Sequence, residues 1–186
     1  MKEINALSVR EMVEDDIEQF IRYWEEASPA YLEGMGVDVS KRPTREQFEK
    51  LVIPQLGQPM EERKAYFLTW IKDGHPVGSQ HVNQIVFGEQ AYMHLHLWDS
   101  ENRQKGMGQE LVKQSLPFFF ENLKLQQLFC EPYALNPAPN KTVERLGFTL
   151  VKQHTTIPGA SNFEQLVNLW KLTRERYNAI IARQHL

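Results

Sequence analysis

The chain has 186 residues, 41% of them hydrophobic, and a formal net charge of −3. That length suits one ordinary domain with a sizeable core, and the apolar share is too high for a disordered segment. The slightly acidic balance argues against a basic face that would neutralise phosphates, so no nucleic-acid partner is expected.

A single domain over residues 1–186 is expected, because no repeat, low-complexity tract or long flexible linker interrupts it. Met1-Lys2-Glu3-Ile4-Asn5 has no apolar signal core, and runs such as Leu116 to Phe120 are far too short to span a bilayer. No secretory signal and no membrane partner are therefore expected. Cys130 is the only cysteine, which excludes an internal disulfide and suits a reducing cytoplasm. Lying in Leu128-Phe129-Cys130, it reads as an inert core thiol rather than a nucleophile.

In chain order, Leu7 to Met12 reads as a strand, and Glu14-Asp15-Asp16 as the acidic first turn of a helix. Ile17, Phe20, Ile21 and Trp24 recur at helical spacing and predict its buried stripe, which Ser28-Pro29 ends. Tyr31 to Arg42 looks irregular. Thr44-Arg45-Glu46-Gln47 has the form of a capping box, with Phe48, Leu51 and Val52 turned inward after it. Ala65–Lys72 and Val77–Phe87 flank Asp73-Gly74-His75-Pro76 as a hairpin, and Gly88-Glu89-Gln90 leads into a third strand, Ala91–Trp98.

A glycine-containing turn then opens a helix near Gly106, where Pro117 predicts a kink or an early end and Phe118 to Phe120 read as core. Further elements are a strand near Gln127–Glu131, a helix over Pro137–Leu146, and strands near Thr149–Ile157 and Phe163–Thr173. A tail helix, Arg174 to Gln184, carries Tyr177, Ile180 and Ile181 on one stripe that suits docking on its own core, or else a homodimer contact. This mixture predicts an α+β class with helices on a largely antiparallel sheet.

The turn Arg103-Gln104-Lys105-Gly106-Met107-Gly108-Gln109 lies between a strand and a helix. Its glycines allow close backbone approach, the helix start offers unpaired N–H groups, and Arg103 and Lys105 add charge, which together suit a pyrophosphate. It is not a P-loop, and Leu111 stands where a dinucleotide fingerprint needs a third glycine. What remains is an R-x-x-G-x-G acyl-CoA turn or a structural turn that happens to hold two glycines.

The R-x-x-G-x-G run resembles the GNAT superfamily of N-acetyltransferases. Two further segments resemble its ribosomal-protein-alanine-acetyltransferase-like branch: Asn136 to Phe148, with Pro139 in the usual serine position and Arg145 for lysine, and the closing Trp170 to Tyr177. The resemblance implies a GNAT-like fold, a mixed and mostly antiparallel twisted sheet whose central strands splay. It also implies acetyl-CoA as cosubstrate, an amine-bearing acceptor (a peptide N-terminus or a small molecule), and no metal. A backbone N–H near Leu97 or Trp98 would polarise the thioester, and amides from Arg103 through Gln104, Lys105, Gly106 and Met107 to Gly108 and Gln109 would take the pyrophosphate. Asn136 and Asn140 would touch the cofactor.

An ammonium acceptor must lose a proton before attack. In Tyr92-Met93-His94-Leu95-His96-Leu97-Trp98 the alternation puts Met93, Leu95 and Leu97 on one face, with Tyr92, His94, His96 and Trp98 on the other. His96 and His94, ordinarily near pKa 6.5, are the candidate bases, with Glu131 after them. The superfamily's acid is often a tyrosine on the later helix. None occurs from Asn136 to Phe148, which leaves Tyr133 as a candidate and an acyl-CoA-binding regulatory module as the alternative to an enzyme. The acceptor is expected among the first two helices, their connecting loop and the hairpin after Phe87.

Overall fold

The computed structural model describes residues 6–98 and 106–182. Its centre is a seven-stranded sheet in the order β1-β2-β3-β4-β5-β7-β6. The strands are β1 (Leu7–Glu11), β2 (Ala65–Lys72), β3 (His75–Val86), β4 (Gln90–Leu97), β5 (Gln127–Cys130), β6 (Thr149–Thr156) and β7 (Gln165–Thr173). All neighbours are antiparallel except β4 and β5, which run parallel. The β2–β3 turn is tighter than expected, with only Asp73 and Gly74 between the strands. Both have positive φ, at 50° and 81°, the conformation that suits a two-residue hairpin.

Period-2 alternation sorts β2, β3 and β4 onto two layers. Tyr66, Leu68, Trp70, Val82 and Met93 pack with Leu111, Val112 and Leu116 of α4 (Met107–Pro117). Pro117 has no N–H to continue the α ladder, and the chain passes there into a π turn over Phe118–Asn122 that buries Phe119 and Phe120. The predicted early end is thus present. Trp70 Nε1 donates to Ser115 Oγ at 3.0 Å inside this layer, so the buried indole is satisfied. The terminal α6 (Arg174–Ala182) docks on its own core, Tyr177 stacking on Phe120 at 4.3 Å with the rings 5° apart.

On the opposite face, α1 (Ile17–Glu26) and α3 (Arg45–Val52) cover Ala65 and Phe67, with Phe20 edge-on to both Phe48 and Phe67. The capping box is present: Thr44 N donates to Gln47 Oε1 at 2.8 Å. Three expectations change here. Tyr23 joins the buried stripe of α1, whereas Trp24 is only partly covered. Leu51 is 56% exposed, since an eight-residue helix buries one narrow face and Phe48 and Val52, four apart, already define it. Ser28 does not merely end α1 but caps α2 (Pro29–Gly34), accepting from Tyr31 N; six residues show too little periodicity to be read as a helix. The helix over Pro137–Arg145 is α5.

Asp16 anchors α1 to the sheet edge. It is 4% exposed, pairs with Arg10 at 2.6 Å and accepts from Thr69 Oγ1 and Val13 N. Burial alone would raise its pKa, but the Arg10, Val13 and Thr69 hydrogen bonds outweigh it and hold the carboxyl below its ordinary value. Because the folded value is the lower one, this stability is present above the unfolded pKa of about 3.9 and lost as pH falls through the folded value. Asp16→Asn should cost roughly 1–3 kcal/mol at neutral pH. Its urea midpoint should also change less than the parent's between about pH 5 and pH 2.

Candidate active site

Gly106 precedes α4 with φ +73°, the left-handed conformation, and no side chain caps the helix there. The first-turn N–H groups of Met107, Gly108 and Gln109 have no intrahelical acceptor and carry the positive end of the helix dipole. A Cβ on Gly106 would meet nothing within 4 Å, and one on Gly108 would meet only Leu97 Cδ1, at 3.5 Å. This open, donor-rich helix start fits the pyrophosphate of an acyl-CoA. Arg103, Gln104 and Lys105 lie outside the described residues. Further along α4, Gln109 and Lys113 share a notch of about 800 Å³ with Arg145 and Arg176, cations that sequence reasoning did not connect with the helix start.

The central strands diverge as expected. Pairing of β4 with β5 ends at Met93↔Cys130, whereas pairing with β3 runs on to Leu97↔Gly78. The Trp98 N–H donates to Val77 O at 2.9 Å, which takes it out of the pair of candidate thioester donors. Antiparallel alternation turns the Leu97 N–H the other way, toward the β5 side.

The alternation of β4 holds. Met93 is in the α4 layer, while His94 and His96 face α1 and α3. The two histidines differ sharply. His94 lies in a cross-strand row with Phe67 and His81, stacked on His81 at 4.8 Å, its Nε2 3.1 Å from Asn83 Oδ1. Desolvation pushes its pKa down to about 4, and His81 is lowered as well, by burial and then by its histidine neighbours. Both are therefore neutral imidazoles at physiological pH, and His94 is a weak base. His96 instead has Nδ1 3.2 Å from the Tyr23 hydroxyl, which is 3.1 Å from the Tyr31 hydroxyl and 3.6 Å from Met35 Sδ. Its ring also abuts Trp24 at 4.9 Å. Tyr23, His81 and Asn83 were not singled out from the sequence. Tyr23 is one helical turn from Phe20, and His81 and Asn83 sit at alternate positions of a strand, so parity could have flagged all three.

Trp24, Met35, His81, Asn83, His94 and His96 border a cavity of about 390 Å³ between the α1–α3 layer and the point where β4 leaves β5. Its far wall is the β6–β7 connection, not the hairpin after Phe87 as expected. That connection is tied to the loop after α2: Asp38 N donates to Ser161 O at 2.8 Å, and Gln165 Nε2 and Asn162 Nδ2 both donate to Gly36 O.

Glu131 and Tyr133 reach the cavity from the end of β5. Glu131 is 18% exposed and 3.0 Å from His154 Nε2; burial raises its pKa, an effect that His154 and Lys152 oppose. Tyr133 packs edge-on against Phe163. Asn136 stands at the N-cap of α5 but makes no side-chain capping bond; its carbonyl accepts from Asn140 instead. Asn140 is saturated. Its Nδ2 donates to the Tyr133 and Asn136 carbonyls, and its Oδ1 accepts from Asn168 Nδ2 and Trp170 Nε1. With all four side-chain capacities engaged it clamps α5 to β7. Asn140→Ala should cost roughly 2–3 kcal/mol in a denaturant midpoint, since it strands two partly buried donors.

The model of the Acetyltransferase (GNAT) domain matches residues 6–149. The chain belongs to the GNAT acetyltransferase family. Its fold is shared by spermidine N-acetyltransferase from Vibrio cholerae, solved with CoA and spermine (TM-score 0.76, 14% identity, 92% of this chain and 98% of that one). It is shared too by ribosomal-protein-S5-alanine acetyltransferase from Vibrio fischeri (0.75, 16%, 94% and 97%). A third likeness is the aminoglycoside acetyltransferase AAC(6')-Ib with coenzyme A and kanamycin (0.72, 16%, 94% and 98%). No curated protein sequence matches the chain. As a GNAT acetyltransferase the protein is an N-acetyltransferase, with acetyl-CoA as cosubstrate. Among the described residues no helix is long and apolar enough to cross a membrane.

Proposed function

We propose that this GNAT enzyme acetylates a primary amine that enters the cavity beside His96 and attacks the acetyl thioester directly. The reading rests on one juxtaposition. His96, held by Tyr23 of α1, lies on β4 past the point where that strand parts from β5, one residue from Leu97, whose Cδ1 would lie 3.5 Å from a Cβ placed on Gly108 at the α4 start. The α4 amides would hold the pyrophosphate, the Lys113–Arg145–Arg176 notch would suit further phosphate, and the Leu97 N–H would polarise the thioester carbonyl.

Acetyl-CoA supplies the activated acetyl group when bound. In the base-competent tautomer His96 Nδ1–H donates to Tyr23 Oη, which puts the basic lone pair on Nε2; Tyr23 in turn donates toward Tyr31 or Met35. As the N–C bond forms and the C–S bond breaks, the amine's proton passes to His96 and a proton ends on sulfur. The products are an amide and a free thiol. Tyr133, at the cavity wall, is the nearest tyrosine in sequence to the later helix and is assigned the thiol-protonating role; Glu131, already paired with His154, is a weaker base candidate than His96.

Calorimetry with acetyl-CoA, followed by thiol release against a panel of amines, tests the proposal. Tight binding with amine-dependent thiol release is expected. Binding without any consumption would identify the non-catalytic acyl-CoA module instead.

A further inference from the structure

We infer that the acceptor is a small apolar or aromatic monoamine, rather than a polyamine, an aminoglycoside or a peptide N-terminus. This rests on the transferase reading above and adds the chemical class of the substrate. The inference comes from the walls of the 390 Å³ cavity, a volume at the small end of ligand pockets, which run to about 1,000 Å³.

Its helical side is apolar and aromatic: Phe20, Trp24, Phe48, Met35 and Leu51 all line it. Its sheet side carries His81 and His94, both held neutral, and Asn83, whose carbonyl oxygen lies 3.1 Å from His94 Nε2. Among the described lining residues Glu131 is the single carboxylate, and it already lies 3.0 Å from His154. The acidic side chains of the segment from α2 to α3 stand apart from the cavity. Asp38 pairs with Lys41 at 3.2 Å, and Glu33 is exposed; neither lines the cavity.

A second or third ammonium entering such a site would lose its hydration and find, among the described lining residues, only Glu131 as counter-charge, a cost that grows with each further charge. A single amine with an apolar body meets the opposite balance. Its body takes water off the aromatic wall, and the same desolvation lowers the pKa of its nitrogen, favouring the neutral nucleophile.

The test is thiol release from acetyl-CoA by the full chain with phenethylamine, tryptamine, spermine, kanamycin and an alanine-terminated peptide. The expected kcat/KM for the two apolar monoamines exceeds that for spermine, kanamycin and the peptide by about tenfold or more. Any of those three leading the panel overturns the inference. Leu51→Glu, an exposed substitution at the cavity wall, should shift the spermine-to-phenethylamine ratio toward spermine by roughly threefold, the worth of one rim ion pair.

Binding supplies a readout independent of turnover. Phenethylamine should change the intrinsic fluorescence of the chain, and Trp24→Phe should abolish that change. No fluorescence response to phenethylamine, with a response to spermine, overturns the inference. If acetyl-CoA fails to bind at all, the transferase reading falls, and the fluorescence comparison still decides the acceptor class.

Discussion

His96→Ala is expected to lower kcat/KM for the amine by about 100-fold at neutral pH, the lower end of what a general base contributes. His94→Ala should lower it far less. The two residues are two apart on one strand and have the same unperturbed chemistry, so the contrast rests on surroundings alone. His94 is stacked on His81, faces Asn83 and is pushed down to about 4, which leaves little driving force for taking a proton from an amine. His96 is held through Nδ1 by Tyr23, at the divergence of β4 and β5. Tyr23→Phe removes the Nδ1 partner but keeps the ring that packs in the α1 layer. It should therefore act on kcat and on the pH–rate profile more than on KM. Equal losses from His94→Ala and His96→Ala, or an unchanged rate in the latter, would remove His96 from the role of base.

The second large effect is at Gly108. A Cβ there meets only Leu97 Cδ1, at 3.5 Å, an ordinary van der Waals contact. Position 108 lies inside α4, where alanine is the better helix former by up to about 1 kcal/mol. Gly108→Ala should consequently leave thermal stability equal or higher. If the α4 start holds a pyrophosphate on its backbone, the added methyl lies where a ligand approaches, and acetyl-CoA affinity should fall about tenfold, the equivalent of about 1.4 kcal/mol. A drop in stability with affinity unchanged would show that the glycine serves the fold and not the cofactor. Gly106 is a poorer probe, since its φ of +73° penalises any side chain whatever the space around it.

What the sequence by itself determined was local. The order of strands and helices, the Thr44–Gln47 capping box, the break at Pro117 and the glycine helix start all follow from backbone conformations that a few neighbouring residues impose. The cosubstrate was legible through the resemblance to the GNAT superfamily, because its R-x-x-G-x-G motif is one contiguous stretch of sequence. The cavity proposed for the acceptor was not, because residues far apart in the chain make it. Gln165 reaches Gly36 across 129 positions to close one wall, and Phe67, His81 and His94 meet only through strand register. Register likewise separated two histidines that the sequence presents as equals, burying one in a neutral stack and giving the other a tyrosine partner. Asn140, too, meets the partners of its side-chain oxygen, Trp170 and Asn168, only through another strand. Hydrogen-bond saturation, desolvation and the charge of a cavity are properties of assembled surroundings, so they were decided only when the sheet closed around them.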